Sequence, residues 1–249
     1  IAGHAFGPDS KEIEDMYIRF DLELARLLKS LEKSFGTSDF ILFLTADHGV
    51  VPVPQKLVDD GLPGGYVFVD QIINKLRASS VDHFGVDFIL GQDNLNIYLD
   101  YDLLHTRRDS IHINQVLALF EKNLSNLEGI KQTSRGTDLI KPKESHDHLI
   151  QMLSKGFDPK RSGDLLLILE PGYLPKSSLS LNPKKGTSHG SGYTYDTHVP
   201  CLWYGSGIKN KELNQLLNIT DIGPTLSEIL NLPRTGSMTG KPINALLKP

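Results

Sequence analysis

Phe40-Ile41-Leu42-Phe43-Leu44-Thr45 runs straight into Ala46-Asp47-His48-Gly49. A continuous apolar run bounded by turn residues reads as a strand covered on both faces, the environment of a parallel sheet flanked by helices. Upstream, Ile13, Met16, Tyr17, Phe20, Leu24, Leu27, Leu28 and Leu31 recur at spacings of three and four. That is one apolar face of a helix. Asp9-Ser10-Lys11-Glu12, after Pro8, has the form of a capping box at its start, and Gly36 stops it. Downstream, Asp164-Leu165-Leu166-Leu167-Ile168-Leu169 is a second buried-strand run. Val199 to Tyr204 reads as a short strand, and Thr220 to Leu230 as an amphipathic helix with Ile222, Leu226, Ile229 and Leu230 inward. The expected fold class is α/β, a three-layer sandwich with a mostly parallel central sheet.

Residues 60–155 read differently. Asp60-Gly61-Leu62-Pro63-Gly64-Gly65 is a loop. Then come a strand (66–69), a helix (71–79), strands (84–90 and 95–99), a helix (114–124) and a strand (130–133). This order is that of a split βαβ unit, with a further helix over 146–155. The expected organisation is a core of residues 1–59 and 156–249 carrying an α+β insertion at 60–155.

Composition bounds the function. The chain has 249 residues, 39% hydrophobic and 22% charged, with a net charge of −4. Such a chain is neither collagen-like nor mostly disordered. Its acidic balance argues against a nucleic-acid partner, which needs a basic surface. No apolar run approaches the roughly 18 residues of a membrane span. The one cysteine, Cys201, excludes an internal disulfide and a cysteine-based zinc site. The opening Ile1-Ala2-Gly3-His4 has no Met and no signal-peptide pattern, and reads as a processed product or a fragment.

Three glycine-adjacent histidine turns carry the candidate chemistry: Gly3-His4, Asp47-His48-Gly49 and His189-Gly190. Asp47-His48 directly follows a buried strand, and open α/β sheets bind ligands beyond the carboxyl ends of their strands. Asp and neutral His are ligands that zinc accepts. Against this, a lone His beside a glycine is commonly just a loop residue. His198 is either a site neighbour or part of the positioning of a strand. Asp221 reads as a cap of the last helix, and His146 and His148 as surface residues. Arg107-Arg108 and Lys184-Lys185 are charge pairs that attract phosphate or are simply solvated.

Taken together and in order, several motifs resemble the alkaline phosphatase superfamily. They are Gly3-His4-x-Phe6-Gly7-Pro8, Leu44-Thr45-Ala46-Asp47-His48-Gly49, Thr187-x-His189-Gly190, and Tyr195-Asp196-x-His198-Val199-Pro200. Ile219 to Leu226 and Gly240-Lys241-Pro242-Ile243 fit the family's last helix and closing turn. The branch is that of bacterial alkaline phosphatases grouped with type I phosphodiesterases and nucleotide pyrophosphatases, and this chain resembles its C-terminal half.

The resemblance implies a phosphohydrolase with two zinc ions per active site. His4 and His189 match two ligands of one zinc, and Asp47 and His48 two ligands of the other. The remaining ligands and the Thr or Ser nucleophile match no residue here, since they belong to the half upstream of Ile1; neither Thr45 nor Thr187 fits the nucleophile's position. The implied activity is zinc-dependent hydrolysis of phosphate monoesters through a covalent phospho-Thr or phospho-Ser in the full-length parent. The alternatives are a phosphodiesterase or nucleotide pyrophosphatase, or an inactive, metal-poor fragment. The implied partners are a small phosphate ester and the missing N-terminal half, which would meet an exposed apolar face on this chain. The implied location is periplasmic or secreted.

Overall fold

The computed structural model describes residues 1–37, 39–108, 110–140, 145–180 and 185–247. In chain order the elements are α1 (Ala2–Phe6), α2 (Lys11–Phe35), β1 (Ile41–Thr45), α3 (Pro54–Asp59), β2 (Gly65–Phe68), α4 (Val69–Phe84), β3 (Ile89–Asp93), β4 (Asn96–Leu99) and α5 (Tyr101–Thr106). They continue with α6 (Ile113–Leu124), β5 (Ile130–Arg135), α7 (Gly136–Ile140), α8 (His148–Gly156), β6 (Leu165–Leu169), β7 (Tyr173–Lys176), α9 (Thr194–Thr197), β8 (Cys201–Gly205) and α10 (Ile222–Ile229). The chain forms two compact units. One is Ile1–Met16 with Asp47–Val199, the other Tyr17–Ala46 with Pro200–Pro249.

The first unit is built on a four-stranded sheet in the order β3-β4-β6-β5, antiparallel throughout. A split βαβ unit would set β2 at its centre. Instead β6 takes that place, and β2 pairs in parallel with β7 in a separate two-stranded sheet. The reason lies in β6 itself, whose five residues are all buried. Successive side chains point to opposite faces. Leu165, Leu167 and Leu169 join Ile72, Leu76, Phe88, Val116 and Phe120 in the core cluster that α4 and α6 provide. Leu166 and Ile168 are buried on the other face. In β6 the all-apolar run does correspond to cover on two sides, but it reports nothing about strand direction.

One boundary differs from expectation for a local reason. The strand expected from Phe84 begins only at Ile89, because Gly85, at φ 76°, caps α4 in the left-handed conformation. Ser80 then joins helix to strand: its hydroxyl donates to the Val86 carbonyl at 2.9 Å and accepts the Phe88 N–H at 3.2 Å.

In the second unit β1 and β8 form an antiparallel pair with Phe43 opposite Trp203. β1 is not the doubly covered strand expected. None of its residues is fully buried, and Phe43 is 40% exposed. Among the described residues it pairs on one edge only. The helix α2 matches its predicted span, and its cap lies within the Asp9–Glu12 stretch, at Ser10. The Ser10 hydroxyl accepts the Ile13 N–H and donates to the Gly7 carbonyl. No residue of α2 is buried, and Tyr17, Phe20 and Leu27 on its apolar stripe are 70%, 47% and 48% exposed. Asp221 stands at the N-cap position of α10 but makes no side-chain cap bond to that helix: its carboxylate instead accepts the Asn218 N–H at 2.9 Å and the Lys241 N–H at 2.8 Å, tying the preceding turn to the closing segment. No helix is long and apolar enough among the described residues to cross a membrane. The mostly parallel central sheet is absent from these pairings, in which only β2 and β7 run parallel.

Candidate metal centre

Three turns of the first unit come together through backbone contacts. His4, on α1, donates from Nδ1 to the Thr187 carbonyl at 2.9 Å, while its own carbonyl accepts the Thr187 N–H at 2.8 Å. The buried Thr187 hydroxyl donates to the Val51 carbonyl at 2.5 Å, drawing in the turn that carries His48. That turn meets the third through Gly49, whose N–H donates to the Asp196 carbonyl at 2.7 Å. Glycine is required there, since a Cβ would stand 2.1 Å from the Tyr195 carbonyl oxygen. Tyr193 anchors the loop by donating to the Leu169 carbonyl at 2.9 Å. Burial pushes its hydroxyl up to about 12, so it stays a donor.

The result gathers the sequence-predicted residues. The His48 and His189 rings stack with centroids 3.3 Å apart, and the His4 ring lies 5.5 Å from that of His189. Asp47 and His48 face each other, with Oδ2 to Nε2 at 3.5 Å. Burial holds the His189 imidazole below its usual pKa, with His48 and His4 pushing the same way. Neutral imidazole is the state a metal requires. His198, by contrast, is exposed at the C-terminus of α9, and His146 and His148 are exposed as expected. Of the Lys184-Lys185 pair, Lys184 lies outside the described residues.

The donors suit zinc in pairs. A carbonyl only accepts, so the bonds of His4 Nδ1 to Thr187 and of His48 Nδ1 to Gly49 (2.8 Å) place the protons on Nδ1. Both Nε2 lone pairs are thereby left as ligands, oriented by the backbone bond that metal-ligating histidines commonly make. Two ligands on one tetrahedral zinc, at bonds of 2.0–2.2 Å, stand roughly 3.4 Å apart. The 3.5 Å between Asp47 and His48 fits that edge. Among the described residues no group of three His, Cys, Asp or Glu side chains is spaced to hold one ion.

Two residues were missed by sequence reasoning. Thr187 is the clamp between the His4 and His48 turns, and Asp196 joins the His48 and His189 turns. Asp196 is 4% exposed, and its Oδ2 accepts the Gly190 N–H at 3.0 Å, the Ser191 N–H at 2.8 Å and the Ser191 hydroxyl at 2.7 Å. An Asp within a short Thr-Tyr-Asp-Thr turn, next to a glycine-rich histidine loop, was the available signal.

Residues 1–192 match the type I phosphodiesterase / nucleotide pyrophosphatase family. The chain is 33% identical to alkaline phosphatase PafA of Elizabethkingia meningoseptica over 249 residues, covering 98% of this chain and 43% of that protein. It is also 33% identical to alkaline phosphatase PhoV of Synechococcus elongatus over 248 residues, with 99% and 43% covered. A crystal structure of wild-type PafA superposes with a TM-score of 0.87 at 31% identity, covering 99% of this chain and 45% of that one. The α/β fold of this chain is therefore the one seen in part of that structure. The chain spans less than half the length of these relatives.

Proposed function

This chain belongs to the type I phosphodiesterase / nucleotide pyrophosphatase family, within the alkaline phosphatase superfamily, and we propose on that premise that it supplies one side of the active site of a zinc-dependent phosphate monoesterase. The observation that carries the reading is the 3.5 Å approach of Asp47 Oδ2 to His48 Nε2, beside the His4 and His189 rings. Asp47 and His48 would hold one zinc ion, His4 and His189 a second. When bound, the two ions supply electrostatic stabilisation of the transferring phosphoryl group and lower the pKa of the attacking oxygen. Nδ1–carbonyl bonds orient the His4 and His48 rings, and Thr187 and Gly49 keep the three turns in register. The remaining ligands and a Thr or Ser that becomes covalently phosphorylated would come from the parent's other half. The exposed apolar residues of α2, β1 and β8 are where that half would pack, completing a three-layer, mostly parallel sheet around a core of 1–59 and 156–249 with an insertion at 60–155. Export to the periplasm or outside belongs to the same reading. Kinship with two alkaline phosphatases supports monoesters as substrates.

A second reading, a phosphodiesterase or nucleotide pyrophosphatase, is favoured by the name of the family matched. The test uses the full-length parent and two substrates, p-nitrophenyl phosphate and bis(p-nitrophenyl) phosphate. Monoester hydrolysis that is lost in chelator, restored by zinc and absent from His48→Ala is expected. A preference for the diester selects the second reading, and turnover indifferent to chelator and to His48→Ala refutes both. The chain alone, holding two ligands per ion, is expected to be metal-poor and inactive; phosphate release above a His48→Ala control would overturn that.

A further inference from the structure

Two of the three clustered imidazoles are steered by a hydrogen bond from Nδ1 to a carbonyl, His4 to Thr187 and His48 to Gly49. The third, His189, has no such bond among the described residues. Beside it lies the opposite deficit. Asp196 Oδ1 is buried and has no hydrogen-bond partner among the described residues, while Oδ2 of the same carboxylate has three donors. The two deficits are neighbours, for one of those three donors is the N–H of Gly190, the residue after His189. Buried polar atoms in native proteins are paired, and an exception asks for a donor.

We propose that Asp196 is the positioning residue of His189: Oδ2 holds the Gly190-Ser191 turn, and Oδ1 accepts the ring N–H that a metal leaves free on His189. A carboxylate behind a ligating histidine fixes its tautomer and its angle and raises its basicity. Through its own carbonyl, which accepts the Gly49 N–H, Asp196 also holds the turn of His48. One buried residue therefore sets the two stacked histidines against each other. This inference rests on the metal reading above and adds a residue to it.

The test is zinc affinity of the full-length parent, by competition with a chromophoric chelator, for wild type, Asp196→Asn, Ser191→Ala and His189→Ala. Asn retains an acceptor for Gly190 and Ser191 and puts an NH2 where Oδ1 stands. Asp196→Asn is expected to weaken one of two zinc sites about 10–100-fold. Ser191→Ala, which removes a donor to Oδ2 and the acceptor of the Tyr193 N–H but leaves Oδ1 in place, should leave that site within about threefold of wild type. Unchanged affinity in Asp196→Asn, with the site lost in His189→Ala, overturns the proposal and leaves the metal reading standing. Unchanged affinity in His189→Ala overturns both. Should Asp196→Asn not fold, the zinc-loaded wild type still decides. A His189 ring N–H resonance at low field, protected from exchange, is expected, and a ring N–H exchanging freely with water overturns the proposal.

Discussion

Replacing Gly49 by Ala should separate the two turns that hold His48 and His189. The built Cβ stands 2.1 Å from the Tyr195 carbonyl oxygen, and relief to 3.0 Å needs the backbones to part by about 0.9 Å. That would stretch the 2.7 Å bond from the Gly49 N–H to the Asp196 carbonyl to about 3.6 Å, beyond hydrogen-bond range. Overpacking costs about 1–3 kcal/mol and the lost bond about 0.5–1.5 kcal/mol, or about 1.5–4.5 kcal/mol together. A displacement near 1 Å at a catalytic group is worth about 100-fold in rate. The assay is urea unfolding and phosphate release by the full-length parent, with Gly91→Ala as control. Gly91 has nothing within 4 Å of its built Cβ, so that change should stay within about 0.5 kcal/mol. A Gly49→Ala protein as stable and as active as the control would refute the argument that this close approach sets the site.

Phe120→Ala, at a fully buried ring in the cluster over the four-stranded sheet, should cost about 3–5 kcal/mol in urea unfolding. Asp147 caps α8, and the Gln132 side-chain amide holds its carboxyl below the usual range. A depressed carboxylate stabilises the fold above its unfolded value, near pH 4, and that contribution is lost as pH falls through the lower folded value. Wild type should therefore lose protection of the α8 amides in that window, whereas Asp147→Asn, which keeps a capping side chain, should not; hydrogen exchange reads the difference. Leu27→Ser on the exposed stripe of α2 should shift the stability of this chain alone by no more than about 0.5 kcal/mol. In the full-length parent it should cost about 1.5–3 kcal/mol, because there the stripe would be covered; equal shifts in both would count against a covering half.

The histidine turns were legible because each is short and flanked by glycine, so local sequence carries the geometry that gathers His4, His48 and His189. The helices α2 and α6 were legible by periodicity. Strand partnership was not. Phe40 to Thr45 and Leu165 to Leu169 look alike as apolar runs, yet every residue of β6 is buried and none of β1 is. Apolarity reports what a strand requires, and only the rest of the fold determines whether it is met. Asp196 was quoted within its motif without a role, since its importance rests on bonds to Gly190, Ser191 and Gly49 that no spacing rule foresees.

The central place of β6 orders events during synthesis. β3 and β4 close locally, with Asp93 opposite Asn96 and Asn94 turning at φ 49°. β5 must wait, because its partner on the way to β4 is a segment some thirty residues further along the chain. Until Leu165–Leu169 has left the ribosome, β4 and β5 each carry an open edge over an unfinished apolar core. Growing chains halted in that interval are the ones a holding chaperone would recognise and an aggregate would recruit.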